Sequence, residues 1–329
     1  MNQQVIIGDT DKVLIITSSS TGNNVFCTPA IHLIRKHRPN SVIGVVALNK
    51  LSAEVFEGSP DVDHLYVLSS ASKVDKLAKE YAHVIALNAN ALKKLGSLSC
   101  NLLSAGSLKE DTHHADQLLA YVAGLLGCET VDADRQYIVG SPTFSGKPAL
   151  NLNGVERDAV LINIHLGCGR TSLHGWKFFY RHKAHDKKMW SIESYIDLGK
   201  ALVAAIPHLR IVLTGTSNES YLAKKFERAV PGTINLAGKT SVAQLTDIMR
   251  KLDLFIAHDC GVLHIAAASD VPIVSLFGPT NHLLTGAYPA RPQHTLLKKE
   301  LMTDITTQEV VDAACALLAR FPKAKIQGI

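Results

Sequence analysis

Short apolar runs separated by stretches of mixed polarity set the rhythm of this chain. In the first half VLIIT (13–17), VIGVVA (42–47), HLYV (64–67) and VIAL (84–87) are brief and rich in branched side chains, as in strands covered on both faces. Residues 29–37 and 73–81 instead space their apolar positions as helices do, while Asn40-Ser41 and Ser59-Pro60 mark turns. Such alternation predicts a parallel sheet with helices on both faces. A helix ends at Gly127, and residues 141–153, with Pro142, Gly146 and Pro148, have the composition of a linker.

A second series follows the linker. Strands fit residues 159–165, 209–214, 233–235, 254–257 and 273–277, and helices fit 192–205, 219–228, 241–251 and 262–269. This rhythm divides the chain into an N-terminal domain, 1–153, a C-terminal domain, 154–305, and a closing segment, 306–329. TTQEVVDAACALLA (306–319) reads as an amphipathic helix opened by threonine and acidic residues.

Composition narrows the class. With 329 residues, 47% of them hydrophobic and 19% charged, the chain can build two ordinary domains and is not a disordered one. There is no apolar run of about eighteen residues, and MNQQVIIGDTDK lacks the basic and apolar blocks of a signal peptide, so a cytoplasmic protein is expected. Six cysteines without a C-x-x-C pair argue for free thiols rather than zinc or disulfides. The net charge of +5 is modest, but Arg170, Lys177, Arg181, Lys183, Lys187 and Lys188 gather in one segment, which favours an anionic partner. With positive charge confined there and no reader motif, nucleic acid is excluded as the partner.

Candidate chemistry concentrates in residues 258–280, HDCGVLHIAAASDVPIVSLFGPT, where a strand end, a glycine turn, a small-residue helix and a second buried strand follow one another. Gly261 is suited to a left-handed turn, and the N–H groups that open the next helix, from Gly261 to His264, could hold a phosphate. Ligands of open α/β sheets bind beyond the carboxyl ends of strands, so the loops after Thr17, His165, Thr214, Ala257 and Phe277 are expected to face one site. Each polar residue there also has a bland reading. Asp259 could hold sugar hydroxyls or cap a helix, His264 could donate to a phosphate or be a packed core histidine, and Thr280 could bind ligand or cap a turn. Glu219, as a first-turn helix acid, and Lys188, in a solvated basic loop, have bland readings of their own.

The order Asp-x-Gly-x-x-His-x-Ala-Ala, Val-Pro strand, Phe-Gly-Pro-Thr resembles the nucleotide-sugar site of family 9 glycosyltransferases, the ADP-heptose:lipopolysaccharide heptosyltransferases. The opening VLIITSSSTGNNVFCTPAI (13–31), Asp61-Val62-Asp63, Ile164-His165, Lys188-x-Trp190 and Leu213-Thr214-Gly215 with Glu219 behind it agree, so the resemblance spans about residues 12 to 290. It implies the GT-B architecture, two Rossmann-like domains facing each other across a cleft, with the closing helix crossing back to the first domain. It further implies an ADP-sugar held by Gly215, Glu219, Asp259, Cys260, Gly261, His264 and Thr280, with Lys188 neutralising the leaving diphosphate and the acceptor near Ser20 and Gly22. The expected reaction is an inverting heptosyl transfer to an anionic lipopolysaccharide inner-core acceptor, with peripheral contact at the inner membrane. No cofactor or metal is expected, because a lysine and a helix start can neutralise the leaving group and no Asp-x-Asp motif stands at a strand end.

One departure bears on mechanism. The family's Ser-Ser-x-Gly-Asp loop ends in the carboxylate regarded as the general base, and here the loop reads Ser19-Ser20-Thr21-Gly22-Asn23-Asn24. The amide of Asn23 can orient a hydroxyl but cannot take its proton. A nucleotide-sugar-binding protein with weak or no transferase activity is therefore an alternative, as is another GT-B enzyme with a different donor or acceptor. The segment before Lys188 is also longer and more basic than the family's Thr-rich phosphate loop, and Arg170, Thr171 or Ser172 could replace that loop's contacts.

Overall fold

The structure, a computed structural model, describes residues 7–140, 156, 158–169 and 187–323. The linker at 141–153 and most of the basic segment, with Arg170, Thr171 and Ser172, lie outside the described residues. The chain forms two compact units, one of Met1–Phe144 with Leu283–Pro289 and one of Ser145–His282 with Ala290–Ile329.

The first unit runs β1 (Lys12–Ile16), α1 (Thr21–His37), β2 (Val42–Ala47), α2 (Lys50–Ala53), β3 (His64–Val67), α3 (Ala71–Ala78), β4 (His83–Ala86), α4 (Ala89–Leu95), β5 (Leu102–Ser104) and α5 (His114–Leu126). Its sheet has the order β3-β2-β1-β4-β5 and every pairing is parallel. Val13, Leu14, Ile15 and Ile16 are completely buried, which is why β1 reads as an unbroken apolar run.

Helix α1 begins at Thr21, eight positions before the expected start at Pro29, so the proline sits inside the helix. A proline there removes a donor from the helical ladder. The Thr28 hydroxyl donates to the Val25 carbonyl at 2.8 Å and satisfies the acceptor that the proline leaves open. Helices α1 and α5 run in the same direction. Near their starts the Phe26 ring meets His113 and His114, and near their ends Lys36 reaches Asp134, just past α5. Both helices therefore begin at the carboxyl edge of the sheet, where β1 hands the chain to residues 17–24.

The second unit runs β6 (Val160–His165), α6 (Ile192–Ala205), β7 (Leu209–Thr214), α7 (Ser220–Ala229), β8 (Ile234–Asn235), α8 (Val242–Lys251), β9 (Leu254–His258), α9 (Gly261–Ala267), β10 (Ile273–Phe277), α10 (His282–Thr285, whose last three residues fall in the first unit), β11 (His294–Lys298) and α11 (Thr307–Arg320). The sheet order is β11-β10-β9-β6-β7-β8, again parallel throughout. Strands β5 and β11 escape the sequence pattern because LLS is only three residues long and HTLLK presents no continuous apolar run.

Two expectations are corrected. Helix α11 does not return to the first unit: it packs on α6, β9, β10 and β11, burying Val310, Ala314 and Leu317, and the Trp190 indole donates to the Ile305 carbonyl at its approach. The apolar stripe that suggested a crossing helix is filled by its own sheet. Gly261 does not adopt a left-handed conformation either, being absent from the residues with positive φ and forming the first residue of α9. The extended Cys260, with φ −152°, makes the turn instead.

Packing between α6 and α7 depends on a glycine. A Cβ at Gly199 would lie 2.5 Å from Phe226 Cζ and 3.1 Å from Val230 Cγ2, both on buried side chains. Gly199→Val should destabilise the second unit by about 1–3 kcal/mol. The expected reading is a lower urea midpoint with an unchanged slope.

Candidate functional site

Apart from Val160 and Arg210 near their starts, strands β6, β7 and β9 are buried, and the polar side chains of the site gather where they end. At the end of β9, Asp259 is nearly buried, its side chain 6% exposed, and its Oδ2 lies 2.8 Å from the ammonium of Lys188. A desolvated carboxylate costs several kcal/mol unless it is paired. Lys188 meets that demand while keeping its own side chain 32% exposed, so the cation remains reachable from solvent. Trp190 anchors the segment that carries Lys188 by packing edge-on against Tyr195, ring centroids 5.0 Å apart.

Glu219 is buried behind the β7 loop. Its Oε2 accepts from the Thr216 N–H at 2.8 Å and the Thr216 hydroxyl at 2.9 Å, closing a 3-10 turn, Ser217–Glu219, that precedes α7. The helix-acid reading and the ligand reading thus coexist, since a carboxylate has further lone pairs to offer. Its other oxygen presses on Gly167, where any Cβ would collide with Glu219 Oε1, and Gly215 leaves just enough room, 3.5 Å from a Cβ position to Oε2. The two glycines therefore form the wall on which the carboxylate rests. The β6 loop, Leu166-Gly167-Cys168, links this wall to the Asp259 side, because the Cys168 thiol is close enough to Cys260 to perturb it electrostatically.

Beneath these groups lies a layer of histidines kept neutral. His165 Nδ1 meets the Thr214 hydroxyl at 3.2 Å, and that hydroxyl donates to Asn163 Oδ1 at 3.2 Å. Burial lowers the His165 pKa, with Glu219 opposing. His258 Nδ1 lies 2.8 Å from the Tyr195 hydroxyl, and burial, reinforced by His165, pushes the imidazole down to about 3. Burial also raises the Tyr195 phenol, so Tyr195 donates and His258 accepts. Sequence reading missed this pair, because a tyrosine at a helix start and a histidine 63 positions away share no motif.

The remaining expected donor residues follow. Cys260 is buried at the N-cap of α9, its thiol pushed up by desolvation while the Leu263 and Val262 N–H groups oppose the rise, so the first-turn N–H groups face its sulfur. His264 is buried within α9, as the packed-histidine reading anticipates. Thr280 is half-buried beyond β10, and among the described residues its buried hydroxyl has no hydrogen-bond partner. A cavity of about 620 Å³ lined by Arg250, Asp253, Asp270 and Lys323 opens at the opposite, amino-terminal edge of the same sheet. It is not where ligands of this sheet type bind.

On the first unit, Ser20 caps α1, Gly22 is buried in its first turn and Asn23 is half-buried. The neighbouring Asn24, which sequence reading passed over, holds the loop: its Oδ1 accepts from the Ser18 N–H and its Nδ2 donates to the Ser52 carbonyl, each at 2.8 Å. The Asn23 side chain takes no part in that network.

Comparison with known proteins agrees with this geometry. Glycosyltransferase family 9 (heptosyltransferase) matches residues 178–314. Lipopolysaccharide heptosyltransferase 3 of Escherichia coli is 24% identical over 290 residues, covering 80% of this chain and 82% of that protein. Lipooligosaccharide heptosyltransferase 2 of Haemophilus influenzae is 28% identical over 99 residues, and the match spans 29% of this chain and 28% of that relative. Among solved structures, a family 9 glycosyl transferase from Veillonella parvula superposes with a TM-score of 0.75 at 18% identity, covering 97% of this chain and 99% of the other. E. coli heptosyltransferase WaaC, solved with ADP, superposes with a TM-score of 0.65 at 18% identity over 93% and 99% of the two chains. The two parallel sheets with their crossover helices are the GT-B fold of nucleotide-sugar glycosyltransferases. Within that class, residues 178–314 of this chain match glycosyltransferase family 9, the heptosyltransferase family.

The buried histidines give the site a pH signature. His258 binds no proton in the folded protein until about pH 3, whereas the unfolded chain takes one near 6.5. Its contribution to stability is complete above 6.5 and is lost as pH falls toward 3, at about 1.4 kcal/mol per pH unit within that window. His113, lowered to about 4 by burial, acts in the same sense. The urea midpoint is expected to fall steadily from pH 7 to pH 5, and a midpoint independent of pH would contradict neutral burial of these rings.

Proposed function

We propose that this protein transfers a heptose or related sugar from an ADP-sugar to an anionic lipopolysaccharide inner-core acceptor, with inversion at the anomeric carbon and without a metal. The observation that carries this reading is the half-exposed Lys188 ammonium, held by the buried Asp259 at the carboxyl edge of the second sheet. Cleaving a sugar–phosphate bond leaves negative charge on the departing oxygen, and a fixed cation there stabilises the transition state more than the ground state. Lys188 supplies that charge. Asp259 keeps the ammonium in place and offers its second oxygen to sugar hydroxyls, Glu219 accepts from the ribose, and the start of α9 from Gly261 meets the diphosphate. Gly215, Cys260, His264 and Thr280 complete the donor side. No further cofactor is required.

An adenine nucleotide donor is supported by the relatives, since WaaC has been solved with ADP and with ADP-2-deoxy-2-fluoro heptose. The lipopolysaccharide acceptor is supported by the names of the curated relatives and by the basic residues from Arg170 to Lys188. No helix among the described residues is long and apolar enough to cross a membrane, so the acceptor would be met by peripheral, cytoplasmic-side contact. Asn23 favours a second reading, a nucleotide-sugar-binding protein with little or no turnover.

The test is a transfer assay with ADP-heptose and Kdo-lipid A, read by mass spectrometry. A product one heptose heavier is expected, and Lys188→Ala should lower kcat by about 10²- to 10³-fold. Absence of product with every inner-core acceptor would favour the binding protein.

A further inference from the structure

An ion pair sets the distance between its charges but not the direction in which a flexible ammonium points, and Lys188 reaches Asp259 on a long stem that stays partly in solvent. Two short links lead from that pair to one buried side chain. Lys188 stands two residues before Trp190, Asp259 directly follows His258, and Trp190 and His258 both contact Tyr195. We propose that Tyr195 is a positioning residue that aims the Lys188 ammonium at the departing diphosphate by bracing the ion pair from both sides; the inference rests on the transferase reading above.

Both links lie within the second unit. Ser191 caps α6, its Oγ accepting from the Ser194 N–H at 2.9 Å, so the first turn of the helix brings Tyr195 back beside the residue that precedes the cap. That residue is Trp190. Its ring meets the Tyr195 ring at 82°, and its indole N–H is held by the Ile305 carbonyl at 3.0 Å, which keeps the ring from turning and carrying Lys188 with it. On the other side the Tyr195 hydroxyl donates to His258 Nδ1 at 2.8 Å. His258 is the last residue of β9, a strand held between β6 and β10, so this hydrogen bond braces the point at which the strand releases Asp259. Tyr195 and His258 are both completely buried.

The same hydrogen bond decides a charge. A phenol donates to Nδ1 only while that nitrogen keeps its lone pair, so Tyr195 selects the neutral His258 ring with its proton on Nε2. A protonated ring would set a second cation beside Asp259 and compete with Lys188 for the carboxylate. The groups that act on His258 are His165 from β6, Asp259 and Lys188, with burial dominant, and the Tyr195 phenol lies within electrostatic reach of the Cys168 and Cys260 thiols. Tyr195→Phe removes the hydroxyl and keeps the ring on which Trp190 packs, so it cuts one link and spares the other.

The test is a double-mutant cycle of Tyr195→Phe and Lys188→Ala in the transfer assay, with the urea midpoint of each protein measured to show that it is folded. A positioning residue acts through the group it positions, whereas a packing residue does not. Tyr195→Phe is expected to lower kcat by about 10- to 10²-fold, with the KM for the ADP-sugar nearly unchanged, and to lower it no further where Lys188 is already alanine. The imidazole nitrogen resonances of His258 should show the Nε2–H tautomer in the wild type and a mixture in Tyr195→Phe. An equal loss in both backgrounds, full kcat in Tyr195→Phe, or an unchanged His258 tautomer would overturn the proposal and leave the transferase reading standing. A wild type that binds ADP-sugar and makes no product would overturn the transferase reading, and the proposal with it.

Discussion

A parallel strand covered by helices on both faces has no room for polar chemistry along its length. The polar groups of the site are accordingly concentrated at the carboxyl ends of the strands, where the buried backbone finishes and the crossover begins. In the second unit that constraint puts His165, Thr214, His258 and Asp259 at the same level on adjacent strands, by register alone: His165 pairs with Thr214 on one side and Ala257 on the other. The ion pair between Asp259 and Lys188 is the consequence with most leverage. A carboxylate this deep requires a cation, and a long lysine side chain is able to supply one while leaving its own charge partly in solvent.

Much of this was legible in the sequence. The apolar runs located the central strands to within a residue, because a doubly covered strand leaves little choice of side chain. Strands β5 and β11 were not legible, since LLS is too short and HTLLK too polar to stand out as an apolar run. Pro29 misplaced the start of α1: a proline predicts a helix opening unless a neighbour satisfies the carbonyl it strands, and Thr28 does so through a contact that propensity cannot see. Gly261 suggested a left-handed turn because glycine permits one, but the extended Cys260 already turns the chain and glycine is left to start the helix.

The site divides along the same line. Residues that belong to one continuous string, Asp259 through Thr280, could be singled out from local spacing. Partnerships between distant strands could not. That Lys188 would bind Asp259 itself, that Gly167 would back Glu219, and that Tyr195 would fix the His258 tautomer are outcomes of topology.

The central claim is that the carboxyl edge of the second sheet is a nucleotide site. It is tested most directly by hydrogen exchange of the intact protein with and without saturating ADP, with UDP and GDP as controls. ADP is predicted to protect the β6 loop at 166–169, the segment 187–190, the Thr216–Ser220 turn and the start of α9, more strongly than UDP or GDP does. Protection confined to the opposite edge, around Asp253, Asp270 and Lys323, or no protection by any nucleotide, would contradict it.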